Sequence, residues 1–249
     1  MTALLGAELL KLRTTRAWIG LVLAIVAVSG AGAAGTVGTA SELDLGTVGL
    51  SRDVIQSSLL AGFVAFLIGI TMVTSEWRHG TITRTFLVTP RRERVLAAKE
   101  LASLIVGIVL AIFSAALVLA IAVTWLEIEG SSFGVDNSVT ELVLRALLAA
   151  ALWGALGVGF GAVIQSQTPA IVIGILWILI GEGLIGALLG LVDLGRVAMY
   201  FPGAALGAFE GGAGADDGLS PWAGGAVGLC WVLGLGLLGY MRISRRDVT

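Results

Sequence analysis

The chain has few of the residues from which soluble enzymes and secreted scaffolds are built. Its 249 residues include one cysteine, one histidine, four prolines and two lysines. A single cysteine excludes a disulfide framework, and one cysteine with one histidine cannot supply the roughly four ligands of an ordinary zinc site. Charged residues make up 13% of the chain, which is about half the usual share in soluble domains. The composition therefore excludes a soluble, zinc-bound or disulfide-stapled domain.

The chain also lacks the residues that bind or hydrolyse ATP. A P-loop needs a lysine directly after a glycine, and neither Lys11 nor Lys99 follows one. The pattern G-x-G-x-x-G occurs at 234–239, but it lies inside an apolar run and follows no strand, so we reject a dinucleotide site. His79 is the single histidine, which leaves no credible catalytic triad. We predict no catalytic residue, metal site or cofactor in this chain.

Long apolar runs are what the sequence has instead. A helix needs about 20 apolar residues to cross a bilayer, and uncharged stretches of that length recur along the chain. The stretch that begins at 146 is too long for one crossing and contains the turn-forming sequence QSQTP at 165–169. We therefore predict an all-α membrane protein with six spans and a longer outer segment at 193–219. The predicted spans are 17–40, 54–75, 101–126, 146–164, 170–192 and 220–241.

Glycines recur four residues apart within these runs. Such G-x-x-x-G pairs allow membrane helices to approach closely, so they predict tight packing, either within the subunit or between subunits. The pairs are Gly157/Gly161, Gly186/Gly190 and Gly224/Gly228, and further glycines at 234, 236 and 239 favour the same interpretation.

Lysine and arginine are distributed unequally between the two ends of the predicted spans. With the N-terminus inside, twelve lie on the inner side and three on the outer side. Because cytoplasmic loops are enriched in these residues, we predict a cell-membrane protein with both termini in the cytoplasm. With five acids inside and eleven outside, the inner side carries +7 and the outer side −8. The inner set is Lys11, Arg13, Arg16, Arg78, Arg84, Arg91, Arg92, Arg94, Lys99, Arg242, Arg245 and Arg246, and the outer set is Arg52, Arg145 and Arg196.

The residues before the first span have an amphipathic pattern. Leu5, Leu9 and Leu12 fall on one helical face. Glu8 and Lys11 fall on the opposite face. This arrangement predicts a short helix that lies in the inner membrane interface, with a frayed cytoplasmic tail as the alternative.

One ionisable residue lies near the middle of a predicted span. Glu182 falls within 170–192, and a charge at the centre of a spanning helix costs about 2.5–3.5 kcal/mol on insertion scales. An intramembrane acid of this kind is a candidate for transport chemistry. The alternative is a protonated glutamate that forms hydrogen bonds between helices and only positions them. No basic residue lies at a matching depth, so both interpretations stay open.

The segment SEWRHGTITRTFLVTPRRERVLAAKE, at 75–100, is basic and helix-like although it lies between two apolar runs. Gly80 permits a sharp turn after the second span, and 81–88 can form about two helical turns. Thr89 is predicted to cap the next helix, with Pro90 at its first position, where a missing N–H is harmless. We predict a short cytoplasmic helix held firmly between two spans. An anchor that only touched anionic lipid would not need this much structure.

This loop carries the motif E-x-x-x-G-T-I, followed by a Thr-Pro pair, an arginine and a lysine. The residues are Glu76, Gly80, Thr81, Ile82, Thr89, Pro90, Arg94 and Lys99. Together with six spans, an N-terminal interfacial helix and a longer outer segment, the loop resembles that of type-2 permeases of ATP-binding-cassette transporters. In that family the loop holds a coupling helix, which docks on a separate ATPase subunit.

The resemblance implies one permease domain over 1–249, paired with a second copy and driven by two ATPase subunits that bind ATP and magnesium. Protein and membrane lipid are the expected contacts, and nucleic acid is not. By position, the expected coupling residues are Glu76, Arg78, His79, Gly80, Thr81, Arg84, Thr89, Pro90, Arg91, Arg94 and Lys99. Apolar, glycine-rich spans fit export of a hydrophobic or amphipathic cargo. The alternatives are a small proton-coupled carrier that uses Glu182, and a membrane scaffold that recruits a partner through the basic loop.

Overall fold

The computed structural model describes residues 1–14, 17–211 and 218–245, and every regular element within those ranges is helical. Arg16, Arg246 and 212–217 of the predicted outer segment lie outside the described residues. Two 3-10 turns cover Ser57–Leu59 and Gly195–Tyr200, and a π-helical turn covers Trp177–Gly181. The α-helices are α1 (Thr2–Thr14), α2 (Ala17–Gly38), α3 (Val48–Gln56), α4 (Leu60–Arg78), α5 (Ile82–Val88), α6 (Arg92–Ile128), α7 (Asn137–Ile164), α8 (Gln167–Leu176), α9 (Glu182–Gly190), α10 (Pro202–Glu210) and α11 (Pro221–Arg245).

Six segments of the described chain are long and apolar enough to cross a membrane, which confirms the all-α, six-span fold. They are α2 from Trp18, α3 with α4, α6, α7, α8 with α9, and α11. Several helices extend past the uncharged stretches that reveal them in the sequence. The third begins at Arg92 instead of 101, and the fourth at Asn137 instead of 146. Hydrogen bonding along a helix continues where the apolar sequence ends, so these helices include charged turns beyond their apolar stretches.

The second and fourth spans form the centre of the bundle, and their main chains touch. A Cβ atom added to Gly69 of α4 would lie 2.2 Å from the carbonyl oxygen of Gly154. One added to Gly157 of α7 would lie 2.1 Å from the carbonyl oxygen of Phe66. Gly161 packs in the same way against Ile70, so the close approach predicted for this glycine pair is confirmed.

Glycines elsewhere differ in what they contact. In α11, a Cβ at Gly224 would lie 2.4 Å from the carbonyl oxygen of Ala205, so this helix packs tightly against α10. Gly190 and Gly234 have no neighbouring atom within 4 Å of such a Cβ. The small-residue pattern therefore corresponds to a close contact within the subunit at some positions only.

The N-terminal helix α1 packs against the bundle. Leu5, Leu9 and Leu12 contact an apolar cluster that includes Ile25 of α2 and Ile68 of α4. The predicted apolar face is therefore the packed face.

At the opposite end of the molecule, α10 begins at Pro202 after an extended Phe201 (ψ 150°), because proline fits the first position of a helix.

We expect Gly157→Ala to disrupt folding of the full chain. The added methyl group must displace the Phe66 carbonyl and separate the central helices, and overpacking of a tight core costs about 1–3 kcal/mol or more. Thermal unfolding of the purified protein in detergent measures the loss. Gly190→Ala is the matched control, because open space surrounds that position, and it is expected to leave the unfolding temperature nearly unchanged. Equal behaviour of the two variants would contradict the main-chain contact.

Candidate functional site

The second span ends in a tight turn that directs the chain along one end of the bundle. Gly80 has φ of +65°, a left-handed conformation that glycine adopts at little cost. The Gly80 amide donates to the Trp77 carbonyl at 3.3 Å, and the Thr81 amide donates to the Glu76 carbonyl at 3.0 Å. This pair of bonds ends α4 in a Schellman motif. The sharp turn predicted at Gly80 is present.

The link between α5 and α6 differs from the expectation. Thr89 ends α5 and does not cap α6, which begins at Arg92 with Arg91 as its N-terminal cap residue. The residue before a proline avoids the helical conformation, and Thr89 accordingly lies outside the helical region, with φ of −127° and ψ of 88°. The predicted cap at Thr89 with Pro90 in the first helical position is therefore wrong, and α6 begins two residues after Pro90.

A cluster of four charges lies directly behind α5. The Lys99 side chain is 2% exposed and donates from Nζ to Glu8 Oε2 and Glu76 Oε1, both at 2.7 Å, and to the Met72 carbonyl at 2.9 Å. Lys11 Nζ donates to Glu8 Oε1 at 2.6 Å and to Glu76 Oε1 at 2.7 Å. The cluster contains two cations and two anions, drawn from α1, α4 and α6.

The pairing explains how these charges can be buried. Each ion loses several kcal/mol of hydration when it leaves water, and only well-placed counter-charges and hydrogen bonds compensate for the loss. Burial favours the neutral form of Lys11, but its hydrogen bonds and charge interactions with Glu76 and Glu8 outweigh this effect and hold the Lys11 pKa above its usual value. Both lysines of the chain thus stabilise the same two carboxylates.

Glu8 does not face water as the amphipathic pattern implied. It is buried against Lys99, from which 91 positions of sequence separate it. The sequence pattern cannot reveal this partner, since Glu8 and Lys11 also form an ordinary pair at the i, i+3 spacing of an exposed helix. The helix α1 is therefore fastened to the bundle by ions as well as by leucines.

The helix α5 is attached to the bundle on one side. Ile82 is buried, and Thr85 Oγ1 donates to Glu76 Oε2 at 3.2 Å. The Phe86 ring lies 5.0 Å from the Arg92 guanidinium carbon. Arg92 also donates to the main-chain carbonyl of Ile243 near the end of α11. These contacts join α5 to the second, third and sixth spans.

The opposite side of α5 projects away from the bundle. Leu87 is 77% exposed and Val88 is 85% exposed, and Arg84 is exposed beside them. The residues at 84, 87 and 88 follow the i, i+3, i+4 spacing of one helical face. This face combines a positive charge with two aliphatic side chains.

The family model for the ABC-2 family transporter protein matches residues 3–248, which is nearly the whole chain. The protein belongs to this family. No curated protein matches the chain. Because it belongs to this family, the chain is a multi-pass permease of the ABC-2 type. ABC-2 membrane proteins work with ATP-binding-cassette ATPase subunits.

Among the residues predicted to couple the permease to an ATPase, two are buried and most of the others are exposed. Glu76 and Lys99 are buried in the charged cluster. The Arg78 guanidinium donates a hydrogen bond to Gln167 Oε1 at 3.2 Å, at the start of α8. His79 Nδ1 lies 2.8 Å from the Ser75 carbonyl oxygen. The members that are exposed are Arg78, His79, Gly80, Thr81, Arg84, Pro90, Arg91 and Arg94, while Thr89 is partly buried.

Glu182 of the permease caps another helix. Its Oε1 accepts hydrogen bonds from Trp177 Nε1 at 2.9 Å and from the Gly203 amide at 2.8 Å, and its Oε2 accepts one from the Ala204 amide at 2.9 Å. The π-helical turn brings Trp177 and Glu182, five residues apart, to the same side. Two of the donors belong to the first turn of α10, where a carboxylate is favourable. These hydrogen bonds link Glu182 of the fifth span to the start of α10.

Sequence reasoning missed four residues of this architecture. Glu8, Arg92, Glu100 and Glu210 are ionisable residues at buried or partly buried positions, but none is part of a recognisable motif. For Glu8 and Arg92 the partners lie far away in sequence. For Glu210 the only available signal is an acid at the end of an unusually apolar outer segment.

We expect Lys99→Met to destabilise the permease by about 3–5 kcal/mol, because it leaves Glu8 and Glu76 buried with Lys11 as their remaining cation. Thermal unfolding of the detergent-solubilised protein provides the measurement. Adding Glu8→Gln removes the one excess negative charge and should restore part of the loss. Arg94→Met, an exposed position on the same helix, is the control. If Lys99→Met were as stable as Arg94→Met, the cluster would not hold these helices together.

Proposed function

We propose that this permease is the membrane subunit of an ATP-driven exporter, and that α5 is the helix on which a cytoplasmic ATPase subunit docks. One observation carries the proposal. The helix is attached to three spans on one side and presents Arg84, Leu87 and Val88 on the other. A short helix with this division suits a part that receives force and passes it on.

The exposed face has the chemistry of a protein contact. Two aliphatic side chains that are largely exposed to water lose their contact with water when a partner covers them. Arg84 adds a charge that can fix the orientation of the partner, since paired charges set specificity at interfaces. A lipid contact would explain the arginine and the aliphatic residues separately. It would not explain why the helix is held so firmly from behind.

The charged cluster supports transmission from α5 to the spans. Thr85 bonds to Glu76, and Glu76 bonds to Lys99, so a displacement of α5 reaches α4 and α6 through two hydrogen bonds. Phe86 and Arg92 connect the same helix to the end of α11. Movement of α5 would therefore act on three spans together.

The proposed assembly contains two permease copies and two ATPase subunits in the cell membrane, with both permease termini in the cytoplasm. The basic inner side supports this orientation, because twelve of fifteen lysines and arginines fall there. ATP and magnesium would bind in the ATPase subunits. The first, fifth and sixth spans each have an exposed apolar face, which can contact the second copy or lipid. The apolar, glycine-rich spans favour a hydrophobic or amphipathic cargo that leaves the cell.

A proton-coupled carrier built on Glu182 has less support. Both oxygens of that carboxylate already accept hydrogen bonds from N–H groups. A residue that carries a proton across the membrane must exchange these partners in every cycle, and the loss would release α10. The permease proposal needs no such step.

We expect Leu87→Asp to abolish co-purification of the ATPase from native membranes, because it puts a negative charge at the centre of the docking face. The measurement is the ATPase recovered per permease after affinity purification and mass spectrometry. Leu43→Asp is the matched control, since Leu43 is 90% exposed in a loop at the opposite end of the bundle. It should leave recovery unchanged.

Full recovery of the ATPase with Leu87→Asp would refute docking through α5. Transport by the purified permease alone, without an ATPase, would refute the larger proposal of ATP-driven export.

A further inference from the structure

At the end of the bundle opposite α5, a cavity of about 560 Å³ lies between α7, the fifth span and α10. Its walls are largely glycine and alanine, among them Gly183, Gly186, Gly207 and Ala208. These small residues leave the space open, whereas larger side chains would fill it. The charged side chains among the described residues that line it are two acids, Glu182 and Glu210.

Glu210 is the acid that remains available in this cavity. It ends α10, is 7% exposed, and its Oε1 accepts a hydrogen bond from Trp153 Nε1 at 3.0 Å. A Cβ at Gly62 would lie 2.5 Å from Trp153 Cδ1, so glycine at that position makes room for the indole. Within the described part of the chain, Oε2 of Glu210 accepts no hydrogen bond. Glu182, by contrast, is already bonded through both oxygens.

No cation of the described chain neutralises this pair of acids. Arg145 of α7 is buried beside Gly211, but it is not among the described residues that line the cavity. No group of three or more potential metal ligands is gathered in the described ranges. The chemistry that suits one available carboxylate, an indole and small apolar walls is that of an ammonium group attached to an apolar body.

We propose that the cavity binds a small organic amine as its cation. The ammonium group pairs with Glu210, and the apolar part lies against Trp153 and the glycine and alanine walls. The acidic outer side, at −8, raises the local concentration of such cations. This site is separate from α5 and does not depend on the proposed ATPase docking.

The site should bind more tightly as the pH rises. Burial raises the pKa of Glu210 to about 8, although the hydrogen bond from Trp153 acts in the opposite direction. The empty cavity therefore holds a mostly neutral acid at pH 7, while the cation requires the carboxylate. Glu182 of the fifth span is the other titratable group that lines the cavity. Both of its oxygens keep their hydrogen bonds from N–H groups.

Isothermal titration of the full chain in lipid nanodiscs with phenethylammonium chloride tests the proposal. At pH 9 we expect saturable binding of one cation per chain, weaker by about tenfold at pH 7, where few Glu210 side chains are ionised. Glu210→Gln should weaken binding by at least about tenfold, since a charge-assisted bond is lost. The neutral isostere 2-phenylethanol should bind the wild type at least about tenfold more weakly than the cation does.

Two further variants keep the test decisive. Gly207→Leu fills the cavity at a position where nothing lies within 4 Å of a Cβ, so it should abolish binding while the unfolding temperature is retained, even if Glu210→Gln folds poorly. Glu141→Gln, an exposed acid outside the described lining, should bind as the wild type does. Absence of saturable binding, equal affinity for the alcohol, or full binding by Gly207→Leu would overturn the proposal, and the last two would identify an apolar or lipid contact instead.

Discussion

A lysine ammonium cannot be buried inside a membrane bundle unless counter-charges are buried with it, and this constraint organises the half of the molecule that carries α5. Lys99 requires Glu8 and Glu76, and Lys11 completes the neutral set. Because the four side chains come from α1, α4 and α6, these helices are joined at one point. The attachment of α5 through Thr85 depends on the same carboxylate. This set of ions thus joins α1, α4 and α6 and also holds Thr85 of α5.

Much of the fold follows from the sequence because the bilayer imposes simple rules. Apolar length predicts the six spans, and Gly80 predicts the turn before α5. The cap at Thr89 failed because the conformation of a pre-proline residue outweighs its preference for capping. The Glu8–Lys99 contact could not be predicted, since the two residues are 91 positions apart and each fits an ordinary exposed pattern. Local rules therefore recover the helices, while the pairing of buried charges depends on tertiary packing.

Two glutamates at the end of the bundle opposite α5 illustrate how the surroundings give the same side chain different contacts. Glu182 looks anomalous in the sequence because it interrupts an apolar run, yet its N–H donors make it a helix cap. Glu210 attracts little attention in the sequence because it lies outside the predicted spans, where acids are common. It is buried beside the Trp153 indole, which donates its one hydrogen bond from the described residues. The position of an acid relative to a span is therefore a weaker guide to function than its supply of donors.

The contact between the second and fourth spans has a consequence for movement. Helices that touch through their main chains at Gly69, Gly154 and Gly157 interlock, because a small slide along or around either axis brings peptide groups into collision. The two are expected to move as one stiff body. Any opening of the subunit must then occur along contacts made by flexible side chains, around the first and fifth spans. The glycines thus make the second and fourth spans one rigid unit, whereas spans packed through side chains can shift against it.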